Sequence, residues 1–204
     1  MFNTKEKKER ALGTRLFLKA HRCNSPKCVL VKRPYRPGLH GQARRRALSE
    51  FGQQLAEKQK IKASYGIRET QMKNIFSAAM KNPGLTGNLI IQMLERRLDN
   101  VVFRLGLTAS RSVARQLVGH GHILVNGKRV SAPSYLVKIK DRISIRPQSK
   151  DHPVLKGIGE LLKKYEAPAW LRIDADKLEG EMVALPKDIE VPFDVNMVVD
   201  YYSK

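Results

Sequence analysis

The side chains of this sequence whose type and spacing suggest chemistry are cationic, and the chemistry is the gripping of phosphate. Arg111 and Arg115 stand four residues apart. On a helix they share one side, while Val113, Ala114 and Leu117 share the other. One face can pack and the other is left for phosphate. His120-Gly121-His122 follows, and then Lys128-Arg129, a basic run beside a turn. Histidines flanking a glycine there suit a helix cap or a phosphate contact better than catalysis. Such side chains hold helical RNA by its backbone and shape, because its deep, narrow major groove is closed to them. Phe103 and Tyr135 are too few aromatic residues for a reader that stacks single-stranded bases. Gly157-Ile158-Gly159 lacks the preceding strand that a phosphate loop needs.

These residues require a scaffold, and the flanking sequence predicts one. Ser110 can cap a short helix over about 111–118, which Gly119 closes. Ile123-Leu124-Val125, Asn126-Gly127 and Lys128-Arg129-Val130 read as a hairpin, since Asn-Gly suits a type I′ turn that needs φ > 0 twice. Residues 135–139 and 142–146 read as two further strands. In the second, Ile143 and Ile145 alternate with Arg142, Ser144 and Arg146, giving one dry face and one basic face. A helix–turn–helix followed by a small sheet, with arginines on the unpacked face, is a nucleic-acid-binding module. Upstream, Leu48, Phe51 and Leu55 recur at helical spacing, with Ser49 near the start and Tyr65-Gly66 at the close. Met72, Ile75, Phe76 and Ala79 mark a second helix, ended by Pro83-Gly84. Leu89, Met93, Leu94, Leu98, Val101 and Val102 mark a third, from about 88 to 105, stopped by Gly106. The Met and Phe stripes predict a helical core rather than a cofactor box. In the tail, a helix is expected over about 154–165, with short strands or turns at 170–173, 178–182 and 195–202.

Across 204 residues, 39 Lys and Arg face 19 Asp and Glu, a net charge of +20. The excess is segregated. Basic residues outnumber acidic ones by 14 to 2 in 1–46, 6 to 4 in 47–95 and 12 to 2 in 96–150, whereas 151–204 hold 7 against 11. Two basic blocks predict two separate contacts with a polyanion, and an acidic tail that faces something else. In the first block, three prolines and two glycines among residues 26–41 disfavour helix. An extended arm is expected there, ordering against RNA through Arg22, Lys27, Arg33 and Arg36 and ending in Arg44-Arg45-Arg46. Nothing approaches the ~18 apolar residues of a membrane span, and the first ten residues hold no secretory stretch. Two cysteines make no disulfide framework, so a reducing cytoplasm is expected. A membrane protein and a small disulfide scaffold are excluded. The expected class is α+β, with an extended basic N-terminal arm over 1–46. A small helical domain over 47–95 is joined by the tail from about 165 to 204. The RNA-binding helix–turn–helix plus small antiparallel sheet module, with its following helix, spans 96–164.

Arg97-Leu98-Asp99-Asn100-Val101-Val102-Phe103-Arg104-Leu105-Gly106, Ser110-Arg111, Ala114-Arg115-Gln116-Leu117-Val118, His120-Gly121-His122-Ile123 and Val125-Asn126-Gly127 closely resemble the bacterial-type small-subunit ribosomal protein four family. Arg22-Cys23, Pro26-Lys27-Cys28, Pro37-Gly38, His40-Gly41, Glu57-Lys58-Gln59-Lys60, Tyr65-Gly66-Ile67 and Tyr201-Tyr202-Ser203-Lys204 resemble it too. The resemblance therefore covers essentially the whole chain. It implies a structural component of the cytoplasmic small ribosomal subunit. Such a protein is a primary binder of small-subunit rRNA that grips a junction of RNA helices in the 5′ domain and helps nucleate assembly. Carried over residue by residue, the resemblance makes Arg111, Arg115, His120, His122, Asn126, Lys128 and Arg129 the module's RNA contacts. It sets Arg44, Arg45 and Arg46 near the path by which mRNA enters the subunit, beside neighbouring small-subunit ribosomal proteins. The tail would form a protein–protein boundary that influences decoding accuracy. No small-molecule substrate and no cofactor are implied. Some relatives carry four N-terminal cysteines that hold zinc, whereas here only Cys23 and Cys28 stand. A closed zinc site needs about four N or S ligands. His21 and His40 complete a set on paper, but His21 lies close to Cys23 in sequence and His40 serves the Pro-Gly turn. Two reduced thiols in a loop, and no metal, are expected.

Arg97-Leu98-Asp99 also resembles the catalytic Arg-Leu-Asp of pseudouridine synthases, some of which carry a related module. Asp99 falls inside a helical pattern, where a structural salt bridge or cap is expected, and no separate catalytic domain remains in the chain. No enzyme is therefore expected. The alternative is an RNA-modifying or ribosome quality-control factor that borrows the module. It would need a catalytic domain within residues 1–95, which read instead as an arm and a small helical domain. A DNA regulator stands further off, for want of a dimerisation element.

Overall fold

The computed structural model describes residues 4–43, 47–82, 85–149, 152–155, 157–162, 165–187 and 189–203. Two compact units result, one from the chain up to Ile91 together with Glu190 onward, the other from Gln92–Ile189.

The first unit begins with three short helices, α1 (Thr4–Leu12), α2 (Ala20–Cys23) and α3 (Val29–Lys32). Burial overrides the helix breakers here: Leu16, Cys23, Cys28 and Glu9 are all buried. Glu9 Oε1 accepts the backbone N–H groups of Leu16 at 3.2 Å and Leu18 at 3.1 Å. Residues 33–43 hold neither helix nor strand, as their prolines predict. Next come α4 (Glu50–Tyr65) and α5 (Glu69–Met80). Ser49 caps α4, its Oγ accepting the Gly52 N–H at 3.2 Å. The packed stripe of α4 is not the expected one. Leu48 and Phe51 are 50% and 57% exposed, while Gln54, Lys58, Ile61 and Tyr65 are buried. Long polar side chains can line a buried stripe with their alkyl stems, which conceals it from an apolar count. On α5, Met72, Phe76 and Ala79 are buried as predicted. Pro83-Gly84 lies outside the described residues.

The single helix expected over 88–105 is two, α6 (Thr86–Glu95) and α7 (Leu98–Arg104). Arg97 is extended (φ −64°, ψ 137°) and bridges Leu136, while the Val137 N–H donates to Arg96 O at 2.9 Å. Residues 135–139 are drawn to this break and form no strand beyond that bridge. After α7, α8 (Arg111–Gly119) completes the helix–turn–helix, and a five-stranded antiparallel sheet covers it. Its strands are β1 (Ile123–Val125), β2 (Lys128–Arg129), β3 (Arg142–Ile145), β4 (Leu171–Asp174) and β5 (Glu179–Met182), in the order β2-β1-β3-β5-β4. β4 and β5 move residues 171–182 away from their expected place with the helical domain. Ile143 registers with Gly180, and Leu171 and Met182 enter the core formed by Leu98, Val102, Leu117 and Ile123. Only the chain from about Glu190 joins the first unit. The helix expected over 154–165 is shorter, α9 (Ile158–Leu162).

The last segment, predicted as strand or turn, is the helix α10 (Val195–Ser203), with Val195 and Val198 buried. It packs on α4 around Lys58. Lys58 Nζ lies 4.0 Å from the Tyr201 ring centre and donates to Glu69 Oε1 at 3.0 Å, which also accepts Tyr202 Oη at 2.7 Å. Among the described residues no helix is long and apolar enough to cross a membrane.

A candidate RNA interface

At the start of the second unit two acidic residues are buried in a strongly basic stretch. Glu95 is fully buried and Asp99 nearly so. Buried charge persists only when paired and hydrogen-bonded. Arg104 meets Glu95 through two parallel bonds of 2.9 Å, and Asn100 Nδ2 donates to Glu95 Oε2 at 2.6 Å. Arg111 Nε donates to Asn100 Oδ1 at 2.7 Å, with Nη2 3.9 Å from Glu95 and the guanidinium 4.7 Å from the Phe103 ring. Asp99 accepts Arg97 at 3.1 and 3.2 Å and Arg115 Nε at 3.0 Å. The salt bridge expected of Asp99 is thus present. Arg111 and Arg115 do share a face of α8, but that face is not left open as the spacing suggests. Both guanidiniums are held by acids and amides of their own module, with 18% and 34% of each side chain still exposed.

The hairpin forms as predicted, with φ of 51° at Asn126 and 77° at Gly127. Asn126 is engaged by the start of β3: Oδ1 accepts the Arg142 N–H at 2.9 Å and Nδ2 donates to Asp141 at 2.8 Å. Lys128 and Arg129 stand exposed on β2. Arg129 folds back over Gly121, where φ is 75° and any Cβ would collide with the guanidinium. From there Arg129 Nη2 donates to His120 O at 3.3 Å. His120 is exposed, and half-buried His122 has its Nδ1 2.9 Å from Ser149 Oγ. Ser110 stands at the predicted N-cap position with extended backbone, but its Oγ meets Ser112 Oγ at 3.0 Å rather than a backbone N–H. On β3 the alternation holds, with Ile143 and Ile145 buried and Arg142 exposed. His120, His122 and Arg129 therefore come together. The sequence reading missed His152, whose ring lies 4.8 Å from that of His122. It also named Arg146 only as part of a basic face. No periodicity links residue 152 to residue 122, so only the fold reveals the pair.

In the first unit, Arg22, Lys27 and Arg33 line an open cleft of about 330 Å³ with Arg10, Lys32 and Glu6. Arg22 is 2.7 Å from Glu6, while Lys27 and Arg33 are exposed. Arg36 is exposed, and its carbonyl accepts Arg10 Nη2 at 3.1 Å. Arg44, Arg45 and Arg46 lie outside the described residues, as does the side chain of His21. Burial, then the Glu9 carboxylate 3.8 Å away, pushes the Cys23 thiol above its ordinary range, which disfavours the thiolate a metal would need.

Residues 2–95 match the family model for the ribosomal protein S4/S9 N-terminal domain, and residues 96–143 match the S4 domain. The second match ends within β3, short of β4 and β5. The chain is 48% identical over 194 residues to the small ribosomal subunit protein uS4 of Acetivibrio thermocellus, covering 94% of this chain and 93% of that one. Proteins of the same name from Caldicellulosiruptor saccharolyticus and Natranaerobius thermophilus are 49% and 45% identical over the same shares.

Proposed function

The chain belongs to the small ribosomal subunit protein uS4 family, and we propose that it is a structural, non-enzymatic component of the small subunit in the cytoplasm. It binds small-subunit rRNA directly and early, helping to nucleate assembly. The observation that carries this reading is the exposed cationic edge of the second unit. There Lys128 and Arg129 on β2 adjoin His120 and His122, while Arg111 and Arg115, mostly covered but still reaching solvent, are pre-aimed from α8 by Asp99, Asn100 and Glu95. Asn126 shapes the hairpin that presents them. A guanidinium already oriented loses less freedom on meeting a phosphate. The basic segment supplies a second grip through Arg22, Lys27, Arg33 and Arg36. Arg44, Arg45 and Arg46 lie beside the mRNA path, and neighbouring subunit proteins meet the acidic tail and influence decoding accuracy. A match along 94% of the chain to ribosomal relatives supports this over a modifying or quality-control factor.

The test is a salt-titrated binding assay with a small-subunit rRNA 5′-domain transcript and an excess of unrelated structured RNA. Selective binding that survives competitor is expected. Replacing Lys128 and Arg129 together by Ala should weaken it by about tenfold or more, since each phosphate contact also releases counterions. Binding that collapses under competitor would leave only a generic polycation.

A further inference from the structure

A cluster of ionisable groups in the second unit reaches beyond the contacts just described. The His120 and His122 rings are 6.0 Å apart, and those of His122 and His152 are 4.8 Å apart. They arrive from the end of α8, the entrance to β1, and the turn after the 3-10 segment Pro147–Ser149. Backbone bonds fix them there. The Arg146 N–H donates to His122 O at 2.9 Å, and the His152 N–H donates to Ser149 O at 3.1 Å. Arg129 closes the group through its bond to His120 O. Among the described residues, the charged groups acting on His122 are His152, His120, Arg129 and Arg146, every one of them basic. No three His, Cys, Asp or Glu side chains among those residues converge as a metal site. Basic groups gathered with no carboxylate among the described residues oppose one another's protonation, and an anion placed among them reverses that.

The ring nitrogens have distinct tasks. His152 Nδ1 accepts the Val154 N–H at 3.3 Å, which leaves Nε2 as the ring nitrogen able to donate. His122 Nδ1 is paired with buried Ser149, and only the imidazolium donates from both nitrogens. Desolvation, then His152, His120, Arg129 and Arg146, hold His122 below its ordinary range, which favours the neutral imidazole in the unbound chain.

We propose that His120, His122, His152, Arg129 and Arg146 form a phosphodiester-binding site in which His122 takes up a proton as an RNA phosphate docks. This rests on the rRNA-binding reading above and adds Arg146 and His152 to it. The proton comes from solvent and stays on the imidazole; no covalent bond to the RNA forms or breaks. A phosphodiester stays anionic across the neutral range, so the proton gained belongs to the protein.

Calorimetric titration of the full chain with the 5′-domain transcript near pH 7, in two buffers of different ionisation enthalpy, measures that proton directly. Net uptake is expected, with affinity rising from pH 8 to pH 6.5 by at most about tenfold per unit for one linked proton. The variant His122→Gln should lose the uptake and flatten the pH profile while keeping its circular dichroism. His152→Ala should weaken binding several-fold at every pH, and His40→Gln in the first unit should behave as wild type. Selective rRNA binding without proton uptake, or uptake that persists in His122→Gln, overturns the inference and leaves the rRNA reading standing. Loss of selectivity against competitor at every pH overturns that reading, and the inference with it.

Discussion

Glu95 and Asp99 let a module dense in arginine bring several guanidiniums close together without mutual repulsion prising α7 from α8. Each acid serves as a local counter-charge: Arg104 and Arg111 gather on Glu95, and Arg97 and Arg115 on Asp99. Removing one partner of a buried pair leaves a charge without solvent or counter-ion. Arg104→Ala should therefore destabilise the chain by about 3 kcal/mol, the low end of the usual range, because Asn100 and Arg111 still reach Glu95. Urea unfolding measures this, and a loss below about 1 kcal/mol would show that Glu95 is hydrated. The same geometry governs any mutational study of binding. Arg111→Glu sets a carboxylate against buried Glu95 and costs stability as well as affinity, whereas Lys128→Ala and Arg129→Ala leave the buried pairs intact.

Among the elements, α10 docks where a cation and a carboxylate of the first unit meet its two tyrosines. Partial burial would raise the Glu69 carboxyl, but hydrogen bonds from Lys62, Tyr202 and Lys58, with the Lys58 charge, hold it down to about 2 against an ordinary 4.5. A depressed carboxyl stabilises the fold fully above its ordinary value and loses that contribution as pH falls from about 4.5 towards 2. Between pH 6 and pH 3 the urea midpoint should thus fall further in the wild type than in Glu69→Gln; equal falls would mean that Glu69 is not coupled to folding. This helix also shows where sequence reading stopped. Local signals were legible: the Asn126-Gly127 hairpin, the Met72–Phe76–Ala79 stripe, the alternation of Ile143 and Ile145, and the placing of Arg111 with Arg115. What depended on distant partners was not. The α10 segment reads as strand because Val198 and Val199 are β-branched, yet docking on α4 makes it helix. The break at Arg96-Arg97 needs Leu136 and Val137, and the grouping of His122 with His152 needs β3 and the turn beyond it.

Over the whole molecule, net charge is a sum over two surfaces in different units, and salt dependence can separate them. Each phosphate neutralised on duplex RNA contributes close to one unit to the slope of log K against log salt. Replacing Lys128 and Arg129 by Ala should lower that slope by about 2, and replacing Lys27 and Arg33 by Ala should lower it again by a similar amount. A slope that responds to only one pair would assign the grip to a single unit. The sheet order carries a consequence for the chain before it meets RNA. β2 is an outer strand, only two residues long, and both of its side chains are cations. Unpaired strand edges recruit other edges, and a short, like-charged one turns them away. The groups that await a phosphate thus also set that edge against the same edge of a second copy, cation facing cation.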